Sequence, residues 1–199
     1  TKDTLKRVEQ AEDFLKSLSG NLDFNAEQGR IYRFGMLAKI FALLNVTEIY
    51  RGEVPDLAGK GFAYDSMEAK AVFEDGKLII REGSIDSPSM GIACTGKIKL
   101  VKKKMDLTVL VAPFKTVDRI VKYIPLVGNI LGGTLVSLPF RATGKLDDPD
   151  VIPLSPTAVG SGLLGILERT LKLPITIIQP VLPKPKEQTD EKKDQKIQQ

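Results

Sequence analysis

Histidine does not occur among the 199 residues, which removes the Ser-His-Asp and Cys-His arrangements, the HExxH zinc site and every His-ligated metal centre. Carboxylate chemistry remains, and its densest cluster is Asp147, Asp148 and Asp150. Acids crowded around an Asp-Pro step are the usual makeup of a solvated loop end, and no EF-hand spacing accompanies them. The run Gly160-Ser161-Gly162-Leu163-Leu164-Gly165 spells G-x-G-x-x-G, but a Pro-flanked linker precedes it, and Ile177 to Pro180 lies where the acidic partner belongs. Glycine at that spacing on a helix permits close packing instead. Asn45-Val46-Thr47 is a formal glycosylation sequon with no secretory context to give it meaning. The lone Cys94 has no disulfide partner and reads as a small buried thiol. Neither catalysis, nor a cofactor, nor a metal is expected.

The strongest charge cluster is basic. Lys97, Lys99, Lys102, Lys103 and Lys104 gather around one turn without aromatic neighbours. Nucleic-acid readers interleave stacking residues or Arg, so no nucleic-acid partner is expected. The cluster reads as a solvated edge, with contact to anionic headgroups at a membrane surface as the other use of such a patch. The net charge, 29 − 25 = +4, is a mild excess.

These lysines must be placed by the elements that carry them. Between Glu68 and Pro113 the chain reads as two β-hairpins whose apolar residues fall on one side. Asp75-Gly76 is a favoured two-residue turn, which sets Glu74 opposite Lys77, Phe73 opposite Leu78 and Ala71 opposite Ile80. The reverse side carries Lys70, Glu74, Lys77 and Arg81, diluted by Val72 and Ile79. A four-residue loop from Val101 to Lys104 sets Leu100 opposite Met105 and Ile98 opposite Leu107, gathering Ile92, Cys94, Ile98, Leu100, Met105, Leu107, Val109 and Val111 on one face. Such a face must be covered by helices, by a second sheet, or by something that is not protein.

Around the hairpins, Thr4 to Leu18 has helical spacing, and Leu22 to Phe24 with Arg30 to Arg33 reads as a short hairpin about Gln28-Gly29. Phe34 to Leu44 reads as a helix apolar nearly all round, hence buried on more than one side. If it covers the whole sheet face, no ligand groove is left. A connector follows to Gly61, then a helical turn or short strand from Phe62 to Asp65. Phe114 to Tyr123 returns to helical spacing before Pro125, and Phe140 to Leu146 alternates like a strand. Thr157 to Leu171 reads as a last helix striped by Leu163, Leu167 and Leu171, and the charged residues from Lys184 onward as a disordered tail. The longest uncharged run, Tyr123 to Phe140, is shorter than the ~20 residues of a spanning helix and is broken by Gly and Pro. The chain opens on a charged helix with neither a leader nor an initiating Met, as a fragment would.

Several strings in order carry a family likeness. Gly29 to Phe34, Leu37 to Val46, Gly61 to Asp65, Asp75-Gly76, Gly83 to Pro88, Gly96 to Leu100, Met105 to Leu107, Val111 to Pro113, Pro125 to Gly128 and Thr143 to Pro149 together resemble the C-terminal region of the bacterial AsmA-like family. The likeness covers about residues 20 to 155. It implies an envelope protein anchored in the inner membrane and extending into the periplasm, with a curved hydrophobic β-groove linked to phospholipid movement and outer-membrane assembly. The anchor and the long repeated groove are missing from this chain, which would make it a terminal segment or truncated member.

The resulting expectation is an α+β fold: a twisted, curved antiparallel sheet with flanking amphipathic helices. A helix occupies 1–19, the groove domain 20–155, a C-terminal helix and apolar segment 156–183 and a tail 184–199. Phospholipid acyl chains would lie on Ala71, Phe73, Leu78, Ile80, Ile92, Ile98, Leu100, Leu107, Val109 and Val111, with headgroups near Lys97, Lys99, Lys102, Lys103 and Lys104. Val109→Asp should then reduce bound lipid and leave the fold intact. The competing reading is an interaction module of the envelope whose helices fill the face and whose C-terminal helix docks a protein partner.

Overall fold

The computed structural model describes residues 2–32, 35–43, 61–113, 135–172 and 175–177. The expected helix at 114–123, the connector from 47 to 60 and the charged tail lie outside them. Seven antiparallel strands in sequence order make the sheet: β1 (Gly20–Ile31), β2 (Phe62–Glu74), β3 (Lys77–Asp86), β4 (Met90–Lys99), β5 (Lys104–Pro113), β6 (Leu135–Lys145) and β7 (Pro149–Pro153). A short β8 (Ile175–Ile177) pairs in parallel with the start of β6. Helix α1 (Lys2–Ser17) precedes the sheet, α2 (Gly35–Leu43) follows β1, and α3 (Ser161–Leu171) follows a single 3-10 turn at Pro156–Ala158. The architecture is the expected α+β one.

Asp75-Gly76 turns the chain in the expected register: Glu74 faces Lys77, Phe73 faces Leu78 and Ala71 faces Ile80. Asp75 (φ 48°) and Gly76 (φ 67°) both take the left-handed backbone that a tight primed turn requires. The second hairpin differs. Lys99 faces Lys104, Ile98 faces Met105 and Lys97 faces Asp106, so the loop runs from Leu100 to Lys103. This corrects the placement of Leu100, which lies in the turn and is not a strand residue. The shift is two residues, which preserves the alternation of sides, so the remaining apolar positions keep a common face.

Other expectations also change. The hairpin about Gln28-Gly29 does not form; residues 20–31 are one strand paired with β2 along its length, and Gln28 keeps a positive φ of 50° as a local irregularity. Phe62 to Asp65 opens a 13-residue strand. On β3 the pairing passes from Lys70–Glu82 to Ala71–Ile80, leaving Arg81 as the extra residue of a bulge. That bulge puts Leu78 and Ile80 on the same side as Gly83 and Ile85.

Each side of the sheet has its own helix. Met36, Leu37, Ile40 and Phe41 of α2 join Ile92, Leu107, Val109, Val111, Leu138 and Phe140 in one core. Leu163, Ile166, Leu167 and Leu171 of α3 join Ala93, Leu110 and Ala112 on the reverse side. The Leu stripe expected of the last helix is therefore its buried side. Leu171 fills the space over Gly91 that any side chain at 91 would need.

Candidate functional site

Strand register assembles the apolar face row by row. Gly20, Phe73, Leu78, Ile98, Met105, Gly144 and Pro149 lie opposite one another in sequence across β1 to β7. The next row on the same side is Leu22, Ala71, Ile80, Gly96, Leu107, Ala142 and Val151. Phe24, Ala69, Gly83, Cys94, Val109, Phe140 and Pro153 form the third. Ala26, Met67, Ile85, Ile92, Val111 and Leu138 form the fourth. No charged residue occurs in any row. The alternate rows carry the charges, Asp23, Lys70, Lys97, Asp106, Arg141 and Asp150, and, where α3 packs, the buried Ala93, Leu110 and Ala112.

Helix α2 covers part of this face. Phe41 packs against Phe62 with ring centroids 6.3 Å apart, and Lys39 Nζ donates to Asp148 Oδ1 at 2.5 Å and to the Pro149 carbonyl at 2.8 Å. The Lys39 ammonium holds the Asp148 carboxyl below its ordinary pKa through that hydrogen bond. The helix is thus tied to the turn between β6 and β7. Beneath it Val109 and Val111 are 0% exposed, and Ile92 and Leu107 are sealed almost as fully. Those four expected lipid contacts belong to the protein's own core, in one cluster with Met36, Leu37, Ile40 and Phe41 of α2.

Towards the β1 edge the face is less covered. Ile80, Ile98 and Met105 are half-buried at the margin of the α2 core. Phe73 and Leu78 are also half-buried, and neither belongs to a core cluster. Ala71 is buried between them and the next row. Leu22 is half-buried and Phe24 is 41% exposed. Leu22 and Phe24 were read as part of a short hairpin and are absent from the expected lipid contacts, although their alternation with Asn21, Asp23 and Asn25 carried the signal. The partly open strip is therefore Leu22, Phe24, Phe73, Leu78, Ile80 and Ile98.

Cys94 lies in the third row, and burial pushes its thiol up to about 11. On the wet side, Arg141 Nε and Nη2 donate to Asp106 Oδ1 and Oδ2 at 3.0 and 3.2 Å, and that fork holds the Asp106 carboxyl below its ordinary range. Two shallow, open depressions share a lining of Arg81, Thr95, Thr108 and Ala158. Of the five expected headgroup lysines, Lys97 faces Asp106, while Lys99, Lys102, Lys103 and Lys104 are exposed at the strand ends and turn. Among the described residues no His, Cys, Asp or Glu cluster could hold a metal ion, and no helix is long and apolar enough to cross a membrane.

An open antiparallel sheet with one uncharged side and flanking helices is the AsmA-like class of domain that the sequence strings resemble. Residues 9–151 match the family described as "YhdP protein", and the chain belongs to that family. It is 26% identical over 154 residues to the "Intermembrane phospholipid transporter YhdP" of Escherichia coli (strain K12), a match covering 68% of this chain and 12% of that protein. No solved structure matches significantly.

Proposed function

We propose that this chain is a non-catalytic lipid-handling module, part of a larger periplasmic protein that moves phospholipid between the inner and outer membranes. The observation that carries the reading is the uncharged face four rows deep, of which the β4 to β6 portion is buried in the core that α2 joins and the strip from Leu22 to Ile98 is partly open. An acyl chain laid on that strip would gain about 0.8 kcal/mol for each methylene removed from water, without any directional contact. Its headgroup would stay wet at the strand ends. The name of the Escherichia coli relative supports a phospholipid as the cargo.

Native mass spectrometry of the purified chain tests this directly, with bound phospholipid as the expected result. A combined Phe24→Asp and Leu78→Asp variant should keep its circular dichroism and lose the lipid. A lipid-free wild-type protein would remove the reading.

The sealed floor under α2 favours a second reading for that half of the sheet: a structural module with no ligand of its own, docking an envelope protein. It predicts no bound lipid in the same spectra.

A further inference from the structure

Lys77, Lys99, Lys104 and Lys145 lie directly opposite one another on four consecutive strands, β3 to β6. Like charges at directly opposed positions oppose sheet pairing, so stability does not account for this row. Lys102 and Lys103 extend it in the intervening turn. None of these six lysines forms an ion pair with another described residue. The nearby acids are placed otherwise: Asp106 is gripped by Arg141, Asp148 by Lys39, and Glu74, Asp75 and Asp147 stand at the two flanks of the row.

The row is held in a fixed frame. The Leu100 amide donates to the Gly76 carbonyl at 2.9 Å, and the Leu146 amide donates to the Lys103 carbonyl at 3.0 Å. Three neighbouring turns are thereby joined into one edge. Immediately inward, on β2 to β5 and on the other side of the sheet, is the apolar row Phe73, Leu78, Ile98 and Met105. Helix α1 reaches this edge too: a Cβ on Gly76 would meet Lys16 Cγ at 3.4 Å. Along α1, Leu5 (71%), Val8 (52%) and Phe14 (62%) are exposed. Lysines at a fixed edge, one row from half-buried apolar side chains and reached by a helix that exposes Phe14 two residues before Lys16, match the two layers of a bilayer surface, phosphate outside and acyl chain within.

We infer that this edge is a docking surface for a membrane rich in anionic phospholipid. The strands then stand end-on to the bilayer, and the open strip of the apolar face begins at the membrane surface. The orientation rests on the lipid-handling reading above, whereas the docking is measured apart from it.

The experiment is vesicle flotation of the full chain with phosphatidylcholine alone or with phosphatidylglycerol added, at low and high salt. Binding should require phosphatidylglycerol and weaken with salt. Combining Lys77→Gln, Lys99→Gln, Lys104→Gln and Lys145→Gln should weaken it about a hundredfold or more, from the usual contribution of each lysine near an anionic surface. The four Lys→Arg changes should retain it. Because the Gln variant relieves repulsion, its thermal midpoint should match or exceed wild type. Equal binding by the Gln variant, or equal binding to phosphatidylcholine alone, overturns the docking surface and leaves the lipid-handling reading standing. Lipid-free wild-type protein that still floats would do the reverse.

Discussion

The sulfur of Cys94 occupies the place where Gly83 would carry a side chain: a Cβ built on Gly83 lies 2.6 Å from Cys94 Sγ. The two are paired across β3 and β4 in the third apolar row, just beyond the Arg81 bulge. Gly83→Ala must push that sulfur or the strand aside, at about 1–3 kcal/mol. Chemical denaturation should show the loss, and Cys94→Ala in the same chain should recover much of it. Additive losses would mean that the contact does not limit the packing.

The raised pKa keeps the thiol protonated at neutral pH. Its folded pKa of about 11 lies above the ordinary value of 9.0, so its contribution to stability is complete below pH 9 and is lost as pH rises towards 11. The unfolded chain ionises first. Wild type should lose about 2–3 kcal/mol relative to Cys94→Ala across that range. Iodoacetamide at neutral pH should label the native fold more slowly than the unfolded chain; equal rates would contradict this.

Val109→Asp should unfold the protein, contrary to the expectation from sequence that it would only lower lipid content. Val109 is 0% exposed beneath α2, and an unpaired carboxylate there costs more than about 4 kcal/mol. Leu78→Asp, at a half-buried position outside both cores, should leave a cooperative unfolding transition. Circular dichroism melts of the two variants decide it, and equal effects would mean the strip is not open.

Asp148→Asn should loosen α2. Lys39 depresses the Asp148 pKa, so the contact stabilises above the ordinary carboxylate range and is lost as pH falls through the lowered folded value. Hydrogen exchange at neutral pH should quicken at Ile40 and Phe41 in the variant and stay slow at Val109. At acid pH wild type and variant should converge. Unchanged exchange in α2 would show that its apolar side holds it unaided.

The sequence was most legible where short-range chemistry decides. Asp75-Gly76 demands a primed turn, and its register followed residue by residue. The loop from Leu100 to Lys103 has no Gly or Asn to mark its left-handed residue, which is Lys103 at φ 48°, so the register was displaced by two. The apolar face survived because a two-residue shift preserves the sides. Gln28-Gly29 looked like a turn, but pairing with β2 along the whole strand outweighed the local signal. Strand β8, three residues long and paired to β6 from far along the chain, has no local signature at all. The extent of cover over the face depended on where α2 is tied, and Lys39 with Asp148 is a contact that no periodicity reveals.

The most direct measurement is photo-cross-linking from inside the strip. A benzophenone amino acid at Leu78, and separately at Phe24, should capture phospholipid when the protein is expressed in bacterial envelopes, while the same probe at Ile79, on the reverse side of β3, should not. Phospholipid adducts at Leu78 and Phe24 alone are the predicted result. Adducts at none of the three positions, or equally at Ile79, would contradict an acyl chain lying on this face.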